Sequence, residues 1–146
     1  MRSPPNPAVS DTEYRGLLAF RDRLRRFMHW SEQQAIDAGV THAQYQLLLA
    51  VRGHPGAAPT VGDVADHLLL RHHSVVGLVD RAERAGLVER RPDPGDQRVV
   101  RIGLTQHGAR VVRRLASAHL AELQRNPPVF DPALLESDTD DDGGDA

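Results

Sequence analysis

Residues 86–108, GLVERRPDPGDQRVVRIGLTQHG, decide how this chain is read. Two short β-prone runs, 87–91 and 99–104, flank a turn built from Pro92, Asp93, Pro94 and Gly95. Extended runs separated by Pro and Gly spell a β-hairpin with a long loop. Arg98 falls at the tip of that loop, and Arg90, Arg91 and Arg101 fall nearer its base. A helical pattern ending at Ala85 runs directly into the first strand.

Upstream of the hairpin the periodicity is helical. Val61, Val64, Ala65, Leu68 and Leu69 recur at i, i+3, i+4 and i+7 after Thr60, which predicts a helix over 61–69. A short break at Leu70 and Arg71 precedes a second helix over 72–85, with Val75, Val79 and Ala82 on one face. Two short helices joined by a tight turn and followed by an Arg-bearing hairpin form a winged helix-turn-helix at 61–104. Such a module holds a duplex by placing the second helix in the major groove and the hairpin toward the backbone or minor groove.

Longer helices bracket this module. Tyr14, Leu17, Leu18, Leu24, Phe27 and Met28 recur at helical spacing over 11–38, with Asp11 and Thr12 as the expected N-cap and Gly39 as the stop. Thr41 caps a further helix over 42–51, whose Leu47, Leu48 and Val51 point inward. A last helix is expected from Thr105 to about Asn126, with Val112, Leu115, His119 and Leu123 along one stripe, and Pro127-Pro128 ends it. Both terminal helices carry leucine stripes larger than a small monomer covers, so pairing of two chains through 11–38 and 105–126 is expected. The fold class is therefore mainly α with a small β-hairpin wing. Residues 1–10 read as a disordered arm, 11–126 as one domain, and 127–146 as a short helix remnant with an acidic tail.

Composition narrows the function. The chain has 146 residues, no Cys, and a formal charge of −2. Without Cys there are no disulfides, zinc-thiolate sites or thiol redox sensors. The N-terminal MRSPPNPAVS has no apolar stretch, which points to a cytoplasmic location. The charge is unevenly placed. Seven acids follow Phe130, and 20 acids less those seven leave 13 against 18 basic residues, all Arg, so residues 1–130 carry about +5. Arg suits bidentate contact with phosphate and guanine. No Ser/His/Asp constellation, phosphate loop or carboxylate pair stands out, so an enzyme is disfavoured.

The words Asp96-Gln97-Arg98, then Leu104-Thr105 and Gly108, follow the pattern D-x-R-x₅-L-T-x₂-G. Leu78-Val79-Asp80-Arg81 before Gly86-Leu87-Val88, and Thr41 with Gln44 before Leu47-Leu48, stand at the matching distances. On these words residues 12–126 resemble the MarR family of winged-helix regulators. The resemblance implies a homodimer on a palindromic operator, acting as a repressor and released by a small aromatic ligand. It also implies that Arg98 enters the minor groove, that Asp96 orients the wing by pairing with a nearby Arg, and that Ser74 and Arg81 lie on the recognition helix. Gly77, Arg84, Arg90 and Arg91 complete the expected DNA-facing set. Arg71 stands where the family has a capping residue, and Val76 and Gly77 stand where base-reading side chains are usual. His72 and His73, at the exposed start of the helix, are the expected replacements. His29, Trp30 and Tyr45 fall where the family's ligand cleft lies.

The remaining motifs carry less. Neither His29 with Glu32 nor Asp63 with His67 makes a full metal site, and no H-x₃-H pair exists, so no metal or cofactor is expected. Asp138, Asp140, Asp142 and Gly143 open like a calcium loop, but its twelfth position lies past Ala146. The tail is read as a solubilising end, or as a competitor with DNA for the Arg-rich surface. A winged protein-interaction scaffold and a non-specific architectural DNA binder are the alternatives.

Overall fold

The computed structural model describes residue 2 and residues 7–126; the expected helix remnant and acidic tail lie outside the described residues. Five helices and one hairpin follow in the order α1 (Asp11–Asp37), α2 (His42–Gly53), α3 (Val61–Leu68), α4 (His72–Arg84), β1 (Val88–Pro92), β2 (Val100–Leu104) and α5 (Gln106–Arg125).

Hydroxyl side chains start four of the five helices. Ser10 caps α1: its Oγ accepts from the Glu13 N–H at 3.2 Å while Glu13 accepts from the Ser10 N–H at 3.1 Å. The expected cap at Asp11 and Thr12 is thus one to two residues late, because the reciprocal box needs Glu three positions after the hydroxyl. Thr41 with Gln44 and Thr60 with Asp63 close the same box on α2 and α3. Thr105 caps α5 by accepting from the Gly108 N–H at 3.0 Å. Only α4 differs: Arg71 is its N-cap and makes no side-chain capping bond.

The hairpin is antiparallel, with Val88 opposite Leu104, Arg90 opposite Ile102, and Pro92 opposite Val100. Each strand begins one residue later than the sequence pattern suggests. Helix α2 lies at the centre, in contact with α1, α3, α4, α5 and β2. Leu47, Leu48, Val64, Val75, Val79, Leu87, Val88, Ile102 and Leu115 form the fully buried core. Tyr45 is the one aromatic in the buried cluster of the described residues, which is otherwise packed by aliphatics, the larger of which supply roughly 1.5–3 kcal/mol each on burial.

One close approach sets the wing on the helices. Gly86, at φ +72°, lets the chain leave α4, and the Leu87 N–H donates back to the Ala82 carbonyl at 3.0 Å. The Leu87 carbonyl then accepts from the Thr105 N–H at 3.1 Å, and Thr105 Oγ1 donates to the Gly86 carbonyl at 2.6 Å. Helix α5 passes so near that a Cβ on Gly108 would stand 1.9 Å from the Leu87 oxygen. The L-T-x₂-G words therefore have a mechanical meaning: strand end, helix cap and bare crossing point. No described helix is long and apolar enough to cross a membrane.

Candidate nucleic-acid interface

The wing loop is built around Asp93. Its carboxylate accepts from the Gly95 and Asp96 N–H groups, each at 3.0 Å, and from Arg101 Nε at 2.5 Å. The Arg101 guanidinium, followed by the Gly95 and Asp96 backbone donors, holds the Asp93 carboxyl below the ordinary 3.8. Arg101 also donates to the Ala58 carbonyl at 2.7 Å, and the Ile102 N–H donates to the Pro59 carbonyl at 2.8 Å. The base of the wing is thereby tied to the loop before α3. In the sequence pattern Arg101 counts among the outward cations and Asp93 has no role beyond the turn. The available signal is Asp-Pro-Gly, since Asp before such a turn bonds the backbone two residues on.

Beyond this staple the tip is open. Arg98 is held by Asp96 through its Nε at 3.1 Å, its Nη2 at 3.2 Å and its own backbone N–H at 3.1 Å. Those bonds, the Arg98 guanidinium first, keep the Asp96 carboxyl below its usual value. The Arg98 side chain is nevertheless 91% exposed. A cation is thus presented at the end of a stiffened loop, with its direction set by a neighbour two residues away.

The remaining two hairpin cations divide. Arg90 turns inward: it donates to Asp80 at 2.6 Å and to Glu83 at 3.0 Å, and its N–H reaches Glu83 at 3.0 Å. It clamps β1 to α4 instead of facing outward as the sequence suggests. Asp80 and Glu83, three apart on α4, are the signal for that clamp. Arg91 remains largely exposed, paired with Glu89 and donating to the Leu104 carbonyl at 3.2 Å. Its guanidinium lies over Gly103, where a Cβ would come within 2.7 Å.

On α4, His72, His73 and Ser74 are exposed at the uncapped N-terminus. Arg81 and Arg84 are exposed in its second half. The Arg81 guanidinium folds back over Gly77, 3.2 Å from where a Cβ would sit, so Gly77 and Arg81 act as one unit. Val75, Leu78, Val79 and Ala82 anchor the opposite face in the core.

Away from this surface lies an aromatic cluster centred on His119, which the sequence periodicity marks only as part of the α5 stripe. Its Nε2 meets Ser31 Oγ at 2.7 Å and its Nδ1 meets the Leu115 carbonyl at 2.7 Å. The latter contact requires an N–H on Nδ1. Tyr45 stacks on this ring at 4.7 Å, Trp30 meets it edge-on at 4.9 Å, and Phe27 does so at 5.9 Å. Burial raises the Tyr45 hydroxyl above its ordinary value of 10.0. Trp30 and Tyr45 are thus brought together, whereas His29 is exposed on α1. A separate cavity of about 420 Å³ opens between the end of α1 and the start of α2, lined by Glu32, Ile36, Val40, His42 and Gln44 among others. None of His29, Trp30 and Tyr45 lines it. Among the described residues no cluster of three or more His, Cys, Asp or Glu is arranged to hold a metal ion.

Comparisons with known proteins agree with this architecture. Residues 38–99 match the model of the MarR family. The transcriptional repressor NicR of Pseudomonas putida is 32% identical over 104 residues, 71% of this chain and 64% of that protein. The chain thus spans just under two thirds of the length of that relative. The crystal structure of AbsC, a MarR family transcriptional regulator from Streptomyces coelicolor, superposes with a TM-score of 0.72 at 24% identity, covering 89% of this chain and 88% of that one. A MepR variant of S. aureus bound to an oligodeoxyribonucleotide superposes with a TM-score of 0.63 at 24% identity, covering 82% and 86%. With its capped helices, its wing and the D-x-R-x₅-L-T-x₂-G words in register, the chain belongs to the MarR family.

Proposed function

We propose that this chain is a homodimeric, sequence-specific DNA-binding transcriptional repressor that acts in the cytoplasm on a palindromic operator. The observation that carries the reading is Arg98, a nearly fully exposed guanidinium aimed by Asp96 at the tip of a wing that Asp93, Arg101 and Arg90 hold rigid. A cation held in place beside a helix-turn-helix is suited to a groove, where phosphates position and base edges specify. The N-terminus of α4 adds to it. No side chain caps that end, which leaves backbone donors and the positive end of the helix dipole for a phosphate. His72, His73, Ser74 and the Gly77–Arg81 unit present the groove-facing surface, with Arg84 and Arg91 toward the backbone.

Dimerisation is supported by apolar side chains left in water. Tyr14, Leu17 and Leu18 on α1 and Leu120 on α5 are each more than half exposed. Pairing two copies through these faces covers them and sets two α4 helices for a symmetric site. An effector site at Trp30, Tyr45 and His29 is supported by the partly exposed Trp30 and by the contact that Trp30 and Tyr45 each make with the His119 ring. Binding of a small aromatic molecule there quenches Trp30 fluorescence.

Selection of bound fragments from random duplexes, followed by salt titration on the selected and on a random duplex, tests the function. A regulator yields a palindrome and a specificity ratio on the order of 10³ or more. A salt slope without that ratio marks an architectural binder, and neither signal marks a protein-interaction scaffold; both results reject the proposal.

A further inference from the structure

The turn between α3 and α4 carries a leucine that the folded chain does not use. Leu69, the C-cap of α3, has φ +54° and ψ +42°, and among the described residues it is the one non-glycine at positive φ. A side chain with a Cβ is strained there, whereas glycine takes the same cap freely. The cap itself is backbone: the Leu69 N–H donates to the Ala65 carbonyl, and the Leu70 N–H donates to the same oxygen at 3.1 Å. The Leu69 side chain packs on almost nothing, being 91% exposed, and Leu70 beside it is also exposed. Conformation and exposure both work against the free protein. Such a strained outlier points to a contact made in a complex.

Its place in the fold says what covers it. Leu69 stands three residues before His72, where α4 begins with its exposed, uncapped end. A helix whose first residues enter the major groove carries the preceding turn to the groove's rim. The wall at that rim is the sugar–phosphate backbone, whose apolar component is the C–H face of deoxyribose. An uncharged leucine suits that face and not the phosphates on either side of it. We propose that Leu69 packs against the deoxyribose wall of each operator half-site, an inference that rests on the DNA-binding function proposed above. A contact of this kind positions α4 without reading bases.

The test compares the full-length chain with Leu69→Gly and Leu69→Asn, both of which tolerate the left-handed conformation. The folded protein does not rely on the side chain, so Tm of either variant equals or exceeds that of the wild type. Affinity for the selected operator falls about fourfold for each methyl-sized group removed from the contact, and by about tenfold or more over two half-sites. Hydroxyl radicals cleave at exposed deoxyribose, and each variant re-exposes one or two sugars per half-site while the rest of the footprint persists. Variants that bind like the wild type with superimposable footprints overturn the proposal, as does a lowered Tm, which would give Leu69 a structural role. A loss that disappears when thymine is replaced by deoxyuridine moves the side chain to a base edge and also overturns it. If the wild type binds no duplex at all, the DNA-binding function fails first, and the inference with it.

Discussion

Substituting Gly108 with Ala tests how the wing is seated. The new Cβ would lie 1.9 Å from the Leu87 oxygen, where contacts below 3.0 Å essentially do not occur, so α5 and the start of β1 must part by about 1 Å. That oxygen accepts from the Thr105 N–H at 3.1 Å, the Thr105 hydroxyl donates to the adjoining Gly86 carbonyl at 2.6 Å, and the separation breaks or stretches both bonds. Two weakened hydrogen bonds at about 1 kcal/mol each, with overpacking at about 1–3 kcal/mol, give a loss of about 3–5 kcal/mol. For a domain of this size that is a fall in Tm of roughly 10–20 °C. Thermal unfolding followed by circular dichroism, at fixed protomer concentration, reads it. Gly62→Ala is the control. Its Cβ meets only Thr60 Oγ1, at an ordinary 3.7 Å, and removing a glycine from α3 stabilises by about 0.5–1 kcal/mol. If Gly108→Ala melts within about 3 °C of the wild type, the close crossing does not constrain the fold and the reasoning fails.

Other consequences are open to measurement. Arg98→Ala should weaken binding to selected and random duplexes alike and lower the slope of log affinity against log salt by about 1 for each phosphate the guanidinium no longer neutralises; an unchanged slope removes Arg98 from the interface. Arg90→Ala should leave stability within about 1.5 kcal/mol, because its partners Asp80 and Glu83 are substantially exposed, yet reduce operator affinity by freeing the wing; equal affinity would show that the clamp is idle. Asp93 and Asp96 titrate below the ordinary 3.8 when folded, so the order they give the wing is complete above that value and lost as pH falls through the lowered ones. Amide resonances of Gly95 and Arg98 should therefore hold steady from pH 7 to about 5 and shift only on further acidification, whereas movement near pH 6 contradicts the assignment. Deleting residues 136–146 should tighten DNA binding at low salt and change little at high salt if the acidic tail competes with phosphate; equal affinities at low salt end that idea.

Local chemistry makes the elements legible before any packing is known. Thr41, Thr60 and Thr105 announce three helix starts because an N-cap bond needs only a hydroxyl and the backbone N–H three residues on. Pro92 to Gly95 announce the wing turn for a similar reason. The order of helices, the hairpin and the family words around Arg98 and Gly108 follow from neighbours in the chain. What sequence distance conceals is the pairing of charges. Four arginines on one hairpin look alike in a string, yet only the fold shows Arg90 bound to Asp80 and Glu83, Arg101 bound under the loop to Asp93 and Ala58, and Arg98 left in solvent. The same holds for His119, which meets Ser31 across 88 positions of chain.

The amino-acid order by itself determined the helices, the turn that makes the wing, and the family, because caps, periodicity and turn residues act over a few positions. Only the tertiary structure decided which cations are engaged inside the molecule and which face outward, that Leu69 stands strained and bare ahead of α4, and that Gly108 is a crossing point. The pairings of Arg90 and Arg101 and the crossing at Gly108 depend on different elements being brought within a few ångströms, where Coulomb attraction and steric exclusion operate and no local pattern records them. Leu69 is bare because no other element covers the turn it occupies.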